Sequence, residues 1–438
     1  MSKECPNYAL RCLRCGLESQ RGILAIQCSH CRARSFLRAH YEPSFLLDGS
    51  PEQFTSYRAW LPFALKTSLP GLRIGCFRAS ELGARLGLEH LWFLVSGYAP
   101  HHGADLSTCT FKILEAAGVM LRVLTESNRT LIISSAGNTG CAVLELGVRN
   151  QIPAVVVVPE NAIPGMFVSS KPTDRAPLLI ALKNATYPDA IRLVGEMQER
   201  FGMRVVREGG AYNVARRDAM GVPVLRAVQA IGKIPDHYFQ AVGSGTGGIA
   251  AHEAALRLET AGFTGGPMKL HLVQNAPFTP MVEAWKSGAQ DVTQLPRKEV
   301  LARSKQTYTQ VLANASPPYA VTGGVRDVLQ KTRGEMYAVS NAESRAAFQQ
   351  IHSVYDLEPY PESAAAFAGL HQAVKTGLIA PQDTILVHLT GCGWQRSVHE
   401  LNRQPYPVAH RFAFDDSDGV SRAIKKYLDD SGAPDIPT

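Results

Sequence analysis

A glycine-rich turn just past the middle of the chain is the first candidate for chemistry. It consists of Gly243, Ser244, Gly245, Thr246, Gly247 and Gly248. The residues around it predict a buried strand over 237–242 and a helix over 249–258. Glycine lets the backbone approach an anion closely, and the free N–H groups at a helix start point at that anion. The turn therefore predicts a phosphate site, with an ordinary tight turn as the alternative. Its spacing is not that of a nucleotide P-loop.

Three further segments with polar or reactive side chains lie at the ends of predicted elements. Lys112 lies in the first turn of a helix predicted over 111–126, and Thr390 follows a strand predicted over 384–389. The third segment follows a strand predicted over 130–134 and consists of Ser135, Ala136, Gly137, Asn138 and Thr139. Singly, each has an ordinary explanation as a surface lysine, a turn or a helix cap. Together they predict one site, because ligands of parallel sheets bind at the carboxyl ends of strands.

The elements that must position these residues follow a regular order. Predicted strands and helices alternate along the chain from residue 130 to residue 389. The β-branched run at 154–158 predicts a strand that is buried on both faces. This alternation predicts an α/β fold with parallel sheets and helices on both faces.

The first 31 residues hold five of the nine cysteines. Four of them form two C-x-x-C pairs separated by twelve residues, namely Cys12, Cys15, Cys28 and Cys31. Two such pairs can supply four thiolates to one tetrahedral zinc ion. Disulfides or unliganded thiols are the alternative, and Cys5 and His30 are possible substitute ligands. A zinc ion with four protein ligands would be structural, because it keeps no open position.

Composition bounds the class of protein. The chain has 438 residues, a net charge of +7, 45% hydrophobic residues and 19% charged residues. The charge is mild and unclustered, so it does not favour nucleic acid as a partner. No apolar run is long enough to span a membrane, and the first residues lack a signal-peptide pattern. We therefore expect a soluble cytoplasmic enzyme of two or three domains.

The four segments together resemble the fold-type II pyridoxal-phosphate enzymes, the group of threonine synthase, cysteine synthase and the tryptophan synthase β chain. The resemblance implies that Lys112 forms the Schiff base with pyridoxal 5'-phosphate. It implies that the 135–139 loop binds the substrate carboxylate and that Asn138 contacts the cofactor ring. The 243–248 turn would hold the cofactor phosphate, and Thr390 would meet the pyridine nitrogen. Cysteine-pair heads also occur in some threonine-synthase-like members.

Other stretches resemble the cysteate synthases more narrowly. They are found at 96–100, 209–221, 231–250, 272–275, 317–319 and 323–325, and the resemblance covers roughly residues 8 to 396. Two departures flank the cofactor site. Cys109 and Thr110 stand where that group has Gly-Ser, and Cys392 stands where glycines predominate.

The resemblance implies a β-replacement on O-phospho-L-serine. Phosphate would leave to give an aminoacrylate intermediate, and sulfite would then add to give L-cysteate. Threonine synthase acting on O-phosphohomoserine, another nucleophile in secondary metabolism, and a catalytically silent ligand-sensing homologue remain alternatives. Small anionic substrates are the expected partners, and a homodimer is the expected assembly.

Such a site would release phosphate and bind sulfite, and because both are anions it should offer cationic groups. Arg216 and Arg217 are candidates, because a guanidinium fork binds phosphate or sulfonate through two hydrogen bonds. Because the two arginines are adjacent in the chain, we expect at most one of them to face the site. Tyr98, in the 96–103 loop before Lys112, is a further candidate for substrate binding, and His101 and His102 are weaker ones.

The predicted organisation has three parts. Residues 1–45 form a zinc-ribbon-like head, and residues 46–405 form the catalytic region. Within that region, a smaller mobile subdomain is expected at about 115–215, with the larger subdomain formed by the rest. Residues 406–438 are expected to be a partly loose C-terminal extension, with residues 429–438 as a loose tail.

Overall fold

The computed structural model describes residues 7–431, apart from 21–24, 32, 43, 46, 65–68, 70, 128 and 174. Cys5 and most of the predicted loose tail lie outside the described residues. The strands are β1 (Tyr8–Cys12), β2 (Glu18–Gln20), β3 (Leu37–Tyr41), β4 (Gly75–Arg78), β5 (His90–Val95), β6 (Tyr98–Ala99), β7 (Ala104–Asp105), β8 (Thr130–Ser134), β9 (Ala154–Pro159), β10 (Phe167–Val168), β11 (Leu178–Lys183), β12 (Val205–Arg207), β13 (His237–Ala241), β14 (Lys269–Asn275), β15 (Glu335–Val339), β16 (Thr384–Leu389), β17 (Gln404–Pro405) and β18 (His410–Ala413). The helices are α1 (Ser80–Leu86), α2 (Lys112–Glu126), α3 (Asn138–Asn150), α4 (Tyr187–Phe201), α5 (Val214–Ile231), α6 (Thr246–Thr260), α7 (Pro280–Ser287), α8 (Arg297–Gln306), α9 (Val325–Thr332), α10 (Asn341–Tyr355), α11 (Pro361–Lys375), α12 (Trp394–Glu400) and α13 (Ser417–Asp430).

The larger sheet has six strands in the order β15-β14-β13-β16-β5-β4. All neighbouring strands are parallel except β4, which runs antiparallel to β5. In the centre, Val387 pairs with Phe239 on one side and with Phe93 on the other, and all three are fully buried. Parallel strands need helices on both faces to bury side chains in this way. The predicted α/β class is confirmed.

The second sheet has five parallel strands in the order β12-β8-β9-β11-β18. Its central strand β9 carries the β-branched run, and each valine from residue 155 to residue 158 is fully buried. The prediction of a strand buried on both faces is therefore confirmed. The strand over 130–134 is also found as predicted, and helix α3 follows it from Asn138.

The segment after residue 405 is folded into this second sheet. Strand β18 pairs with β11, and helix α13 buries Val420, Ile424 and Leu428 in the sheet's own hydrophobic core. These apolar residues are spaced four apart, which is the repeat of a helix packed on one face. The described part of the predicted extension therefore completes the second sheet.

The cysteine-bearing head is a three-stranded antiparallel sheet in the order β2-β1-β3. It docks on the rest of the chain through Phe36, whose side chain is fully buried. The Phe36 N–H donates to the Thr322 carbonyl at 3.0 Å, and the Phe36 ring packs edge-on against Tyr212 with centroids 4.9 Å apart. The head therefore packs against the segment that carries Thr322 and against Tyr212.

Candidate active site

The four segments singled out in the sequence lie at the carboxyl ends of strands or at helix starts. The 243–248 turn joins β13 to α6, and the 135–137 loop joins β8 to α3. Thr390 directly follows β16, and Lys112 is the first residue of α2. The Phe111 N–H donates to the Thr390 carbonyl at 3.0 Å. This hydrogen bond joins the residue before Lys112 directly to Thr390.

The glycine turn needs glycine for conformation and for packing. Gly245 has a φ of 77°, in the left-handed region, and a Cβ there would lie 2.2 Å from Val325 Cγ2. A Cβ on Gly243 would lie 2.8 Å from the Leu312 carbonyl oxygen. Helix α6 begins at Thr246, so its first N–H groups open onto the turn. The turn therefore has the geometry that an anion cradle at the start of a helix requires.

Lys112 is the amine of the site. Its Nζ lies 2.7 Å from Glu115 Oε2, one helical turn along α2. Burial lowers the pKa of Lys112, while the negative charge of Glu115 opposes that shift. A lysine with a lowered pKa supplies the neutral amine that attack on a carbonyl requires.

Glu115 links the catalytic segments and was missed by the sequence analysis. Its carboxylate is 0% exposed and contacts Lys112, Thr139 Oγ1 at 3.1 Å and Arg216 Nη2 at 3.0 Å. Burial opposes its ionisation, but the charges of Arg216 and Lys112 outweigh burial and lower the pKa of Glu115. The sequence did offer a signal for this contact, because Glu115 lies three residues after Lys112 and therefore on the same helix face.

Arg216 connects this cluster to a cavity of about 610 Å³ whose walls include Ser244 and Thr246. Its side chain is 12% exposed and also pairs with Glu208, with 2.7 Å between Nη1 and Oε1. Burial disfavours its charge, but Glu115 and Glu208 together raise the pKa of Arg216. The arginine is therefore charged and already paired with two carboxylates.

Arg217 does not reach the cavity, which corrects its placement as a substrate ligand. Its guanidinium is 0% exposed, pairs with Glu253 Oε2 at 2.9 Å, and donates to the carbonyls of Ala211 and Leu37. Adjacent residues on a helix differ by about 100° in direction, so Arg216 faces the cavity while Arg217 faces the head. Arg217 thus fastens the head to α5.

The side chains of the loop that carries Tyr98 also contact parts of the chain outside the cavity. The Tyr98 hydroxyl donates to Glu400 Oε2 at 3.0 Å, and burial together with Glu400 raises the pKa of Tyr98 to about 12. His101 and His102 contact the carbonyls of Asp356 and Tyr355 at 3.2 and 2.8 Å. None of these three side chains lines the 610 Å³ cavity.

The departure at Cys109 has a structural explanation. Cys109 has a φ of 60°, a conformation that favours the glycine found in the resembling group. A side chain there costs roughly 1–2 kcal/mol. The Cys109 thiol donates to Ser397 Oγ at 3.1 Å, and Arg403 Nη2 donates to its sulfur at 2.9 Å, which offsets part of that cost.

The head brings four thiols together, those of Cys12, Cys15, Cys28 and Cys31, within 4.8 Å of one another. The Cys12–Cys31 and Cys15–Cys28 sulfur distances are 3.8 and 3.7 Å. Tetrahedral zinc with Zn–S bonds of 2.3 Å requires sulfurs roughly 3.8 Å apart, so the geometry fits a zinc ion. His30 does not belong to this cluster.

No helix among the described residues is long and apolar enough to cross a membrane.

Comparisons with known proteins identify the family of the chain. The family described as pyridoxal-phosphate dependent enzyme matches residues 73–391. The chain is 40% identical over 392 residues to a cysteate synthase of Methanosarcina acetivorans, covering 89% of this chain and 92% of that protein. It is 39% identical to a cysteate synthase of Methanosphaerula palustris, covering 97% of this chain and 99% of that protein.

Solved structures show the same fold. Threonine deaminase isoform 2 of Solanum lycopersicum matches with a TM-score of 0.56 and 16% identity, covering 74% of this chain and 85% of that chain. Maize serine racemase matches with a TM-score of 0.54 and 14% identity, covering 81% and 92%. The chain thus has the fold of type II pyridoxal-phosphate enzymes, and it belongs to the cysteate synthase family of pyridoxal-phosphate-dependent enzymes.

Proposed function

We propose that the chain replaces the phosphate of O-phospho-L-serine by sulfite, giving L-cysteate and inorganic phosphate. The reaction breaks the Cβ–O bond and forms a Cβ–S bond. The observation that carries the proposal is the chain of contacts from Lys112 through Glu115 to Arg216, which ends at the cavity beside the glycine turn. The family's curated relatives, which are cysteate synthases, support it.

The residues present fit pyridoxal phosphate. Lys112 would hold it covalently, the 243–248 turn would hold its phosphate, and Asn138 and Thr390 would contact its ring. Bound pyridoxal phosphate supplies an electron sink for the negative charge that develops at Cα. A neutral Thr390 hydroxyl at the ring nitrogen would weaken that sink, which favours rapid loss of the β leaving group.

The remaining roles fall on the chain's own side chains. The 135–139 loop at the start of α3 would bind the substrate carboxylate through free N–H groups. Lys112, once displaced by the substrate amine, would remove the Cα proton as a general base. Of the two arginines, we retain only Arg216 near the substrate, because it alone lines the cavity.

The reaction is tested by offering purified enzyme O-phospho-L-serine with sulfite and identifying products by mass. We expect cysteate and phosphate in equal amounts, and no cysteate when sulfite is omitted. Much faster turnover of O-phosphohomoserine would instead identify a threonine synthase. A colourless protein that forms no product from either substrate would identify a silent homologue.

We also propose that the four thiols of the head bind one structural zinc ion. Cys31→Ser is expected to lose the metal and lower the melting temperature, because a closed zinc site contributes folding free energy. Cys76→Ala, outside the cluster, serves as the control and should keep one zinc per chain. Elemental analysis and thermal unfolding measure both effects, and a metal-free wild type of ordinary stability would contradict the assignment.

The predicted homodimer and the mobility of the smaller subdomain stay predictions. Size-exclusion chromatography with light scattering measures the first directly.

A further inference from the structure

The 610 Å³ cavity has a wall that belongs to the cysteine head. Arg34, three residues after Cys31, lines this cavity together with Arg216, Ser244 and Thr246. The thiol cluster precedes Arg34 in the chain, and Ser35 forms a β-bridge with Thr322 directly after it. The segment that carries Arg34 is therefore held on both sides.

The 317–323 segment, part of which lines the cavity, is packed tightly against the head. Gly323 has a φ of 83°, and a Cβ there would lie 2.4 Å from Leu13 Cδ1 of the head. The Leu13 N–H in turn donates to the Phe36 carbonyl at 3.0 Å. The head and the 317–323 segment thus form one packed unit around the cavity.

The charges in the cavity leave Arg34 as the available cation. Arg216 is already paired with Glu115 and Glu208, so an incoming anion would have to compete with two carboxylates. Within the described parts of the chain, Arg34 has neither an ion pair nor a hydrogen bond. Asp291 also lines the cavity, and its carboxylate accepts the Val292 N–H at 2.8 Å.

A buried hydroxyl in the same cavity also lacks a partner. Tyr319 is 1% exposed, lines the cavity, and its hydroxyl has no hydrogen-bond partner among the described residues. Leaving such a group without a partner in a buried site is unfavourable. Burial raises the pKa of Tyr319, so the hydroxyl remains a donor. A ligand oxygen in the cavity would satisfy it.

We propose that Arg34 and Tyr319 bind the oxyanion that the reaction exchanges, whether the leaving phosphate or the incoming sulfite. This inference rests on the proposed function. A guanidinium fork and a hydroxyl donor suit an oxyanion with several acceptor oxygens. The head then supplies a specificity-determining residue to the active site, beyond its structural zinc.

The first test is calorimetric titration of inorganic phosphate into the full chain loaded with pyridoxal phosphate, whose own phosphate is expected to occupy the glycine turn. Arg34→Gln should weaken phosphate binding by about tenfold or more. Arg34→Lys should be intermediate, because it keeps the charge and loses the fork. Tyr319→Phe should weaken binding several-fold. Arg11→Gln changes an exposed arginine of the same head that does not line the cavity, and should bind like wild type.

The second test separates the two sources of the oxyanion. A rise in the KM for O-phosphoserine in Arg34→Gln, with O-acetylserine little affected, assigns the site to the leaving phosphate. A rise in the KM for sulfite assigns it to the nucleophile. Unchanged phosphate affinity together with unchanged KM values overturns the proposal. So does loss of pyridoxal phosphate with normal KM values at saturating cofactor, because Arg34 would then serve the cofactor phosphate.

Failure of the proposed function is distinguishable from failure of this inference. If wild-type enzyme forms no cysteate from O-phosphoserine and sulfite, the proposed function fails. The phosphate titration still decides whether Arg34 and Tyr319 form an oxyanion site.

Discussion

Lys112→Ala is expected to reduce turnover by at least about 10⁴-fold, because the change removes both the covalent attachment point and the general base. The variant should fold, since Glu115 keeps Arg216 as a partner at 3.0 Å after the amine is gone. Borohydride reduction of wild-type enzyme followed by peptide mass mapping should find the cofactor fixed on Lys112. Circular dichroism of the variant checks that the fold is retained.

Lys183→Ala is the matched control, because Lys183 is an exposed lysine at the end of β11. It should retain wild-type activity and the wild-type peptide label. A reduced cofactor found on any lysine other than Lys112 would overturn the assignment, as would near-normal turnover by Lys112→Ala.

The positions at the ends of elements were predictable from the sequence. Lys112, the 135–139 loop, the glycine turn and Thr390 all lie at strand or helix ends, and parallel sheets bring such ends to one edge. The predicted element bounds there agree with the structure to within about three residues.

The contacts between distant segments were not predictable. Glu115 and Arg216 are far apart in the chain, and no local pattern places one beside the other. The choice between Arg216 and Arg217 depends on how α5 is rotated, which tertiary packing decides. Arg34 reaches the cavity only because the head docks through Phe36. The spacing of Val420, Ile424 and Leu428 was a readable helical signal that the sequence analysis did not use.

Glu115→Gln is expected to destabilise the protein by about 3–5 kcal/mol at neutral pH, because removing one partner of a buried ion pair leaves the other charges uncompensated. Glu115 is fully buried between Lys112 and Arg216. Without the negative charge of Glu115 to oppose it, burial lowers the pKa of Lys112 further. Activity should fall together with stability, because Lys112 and Arg216 both lose the carboxylate that positions them.

Glu208→Gln is the comparison that separates the two partners of Glu115. It removes the other carboxylate from Arg216, at 2.7 Å, and leaves the Lys112 contact intact. Because Glu208 is 12% exposed, its loss should destabilise the protein less. Equal effects of the two substitutions would mean that Arg216 alone accounts for the role of Glu115.

The pH dependence supplies the decisive measurement. The folded-state pKa of Glu115 is below its ordinary value of 4.5, so its stabilisation is present above that value and is lost as the pH falls through the folded pKa. The difference in urea midpoint between wild type and Glu115→Gln should therefore be largest near neutral pH. It should shrink as the pH falls below 4.5 and through the lowered folded-state pKa, where the wild-type carboxylate becomes protonated. A difference that stays constant down to acidic pH would show that the glutamate acts through its packing and not through its charge.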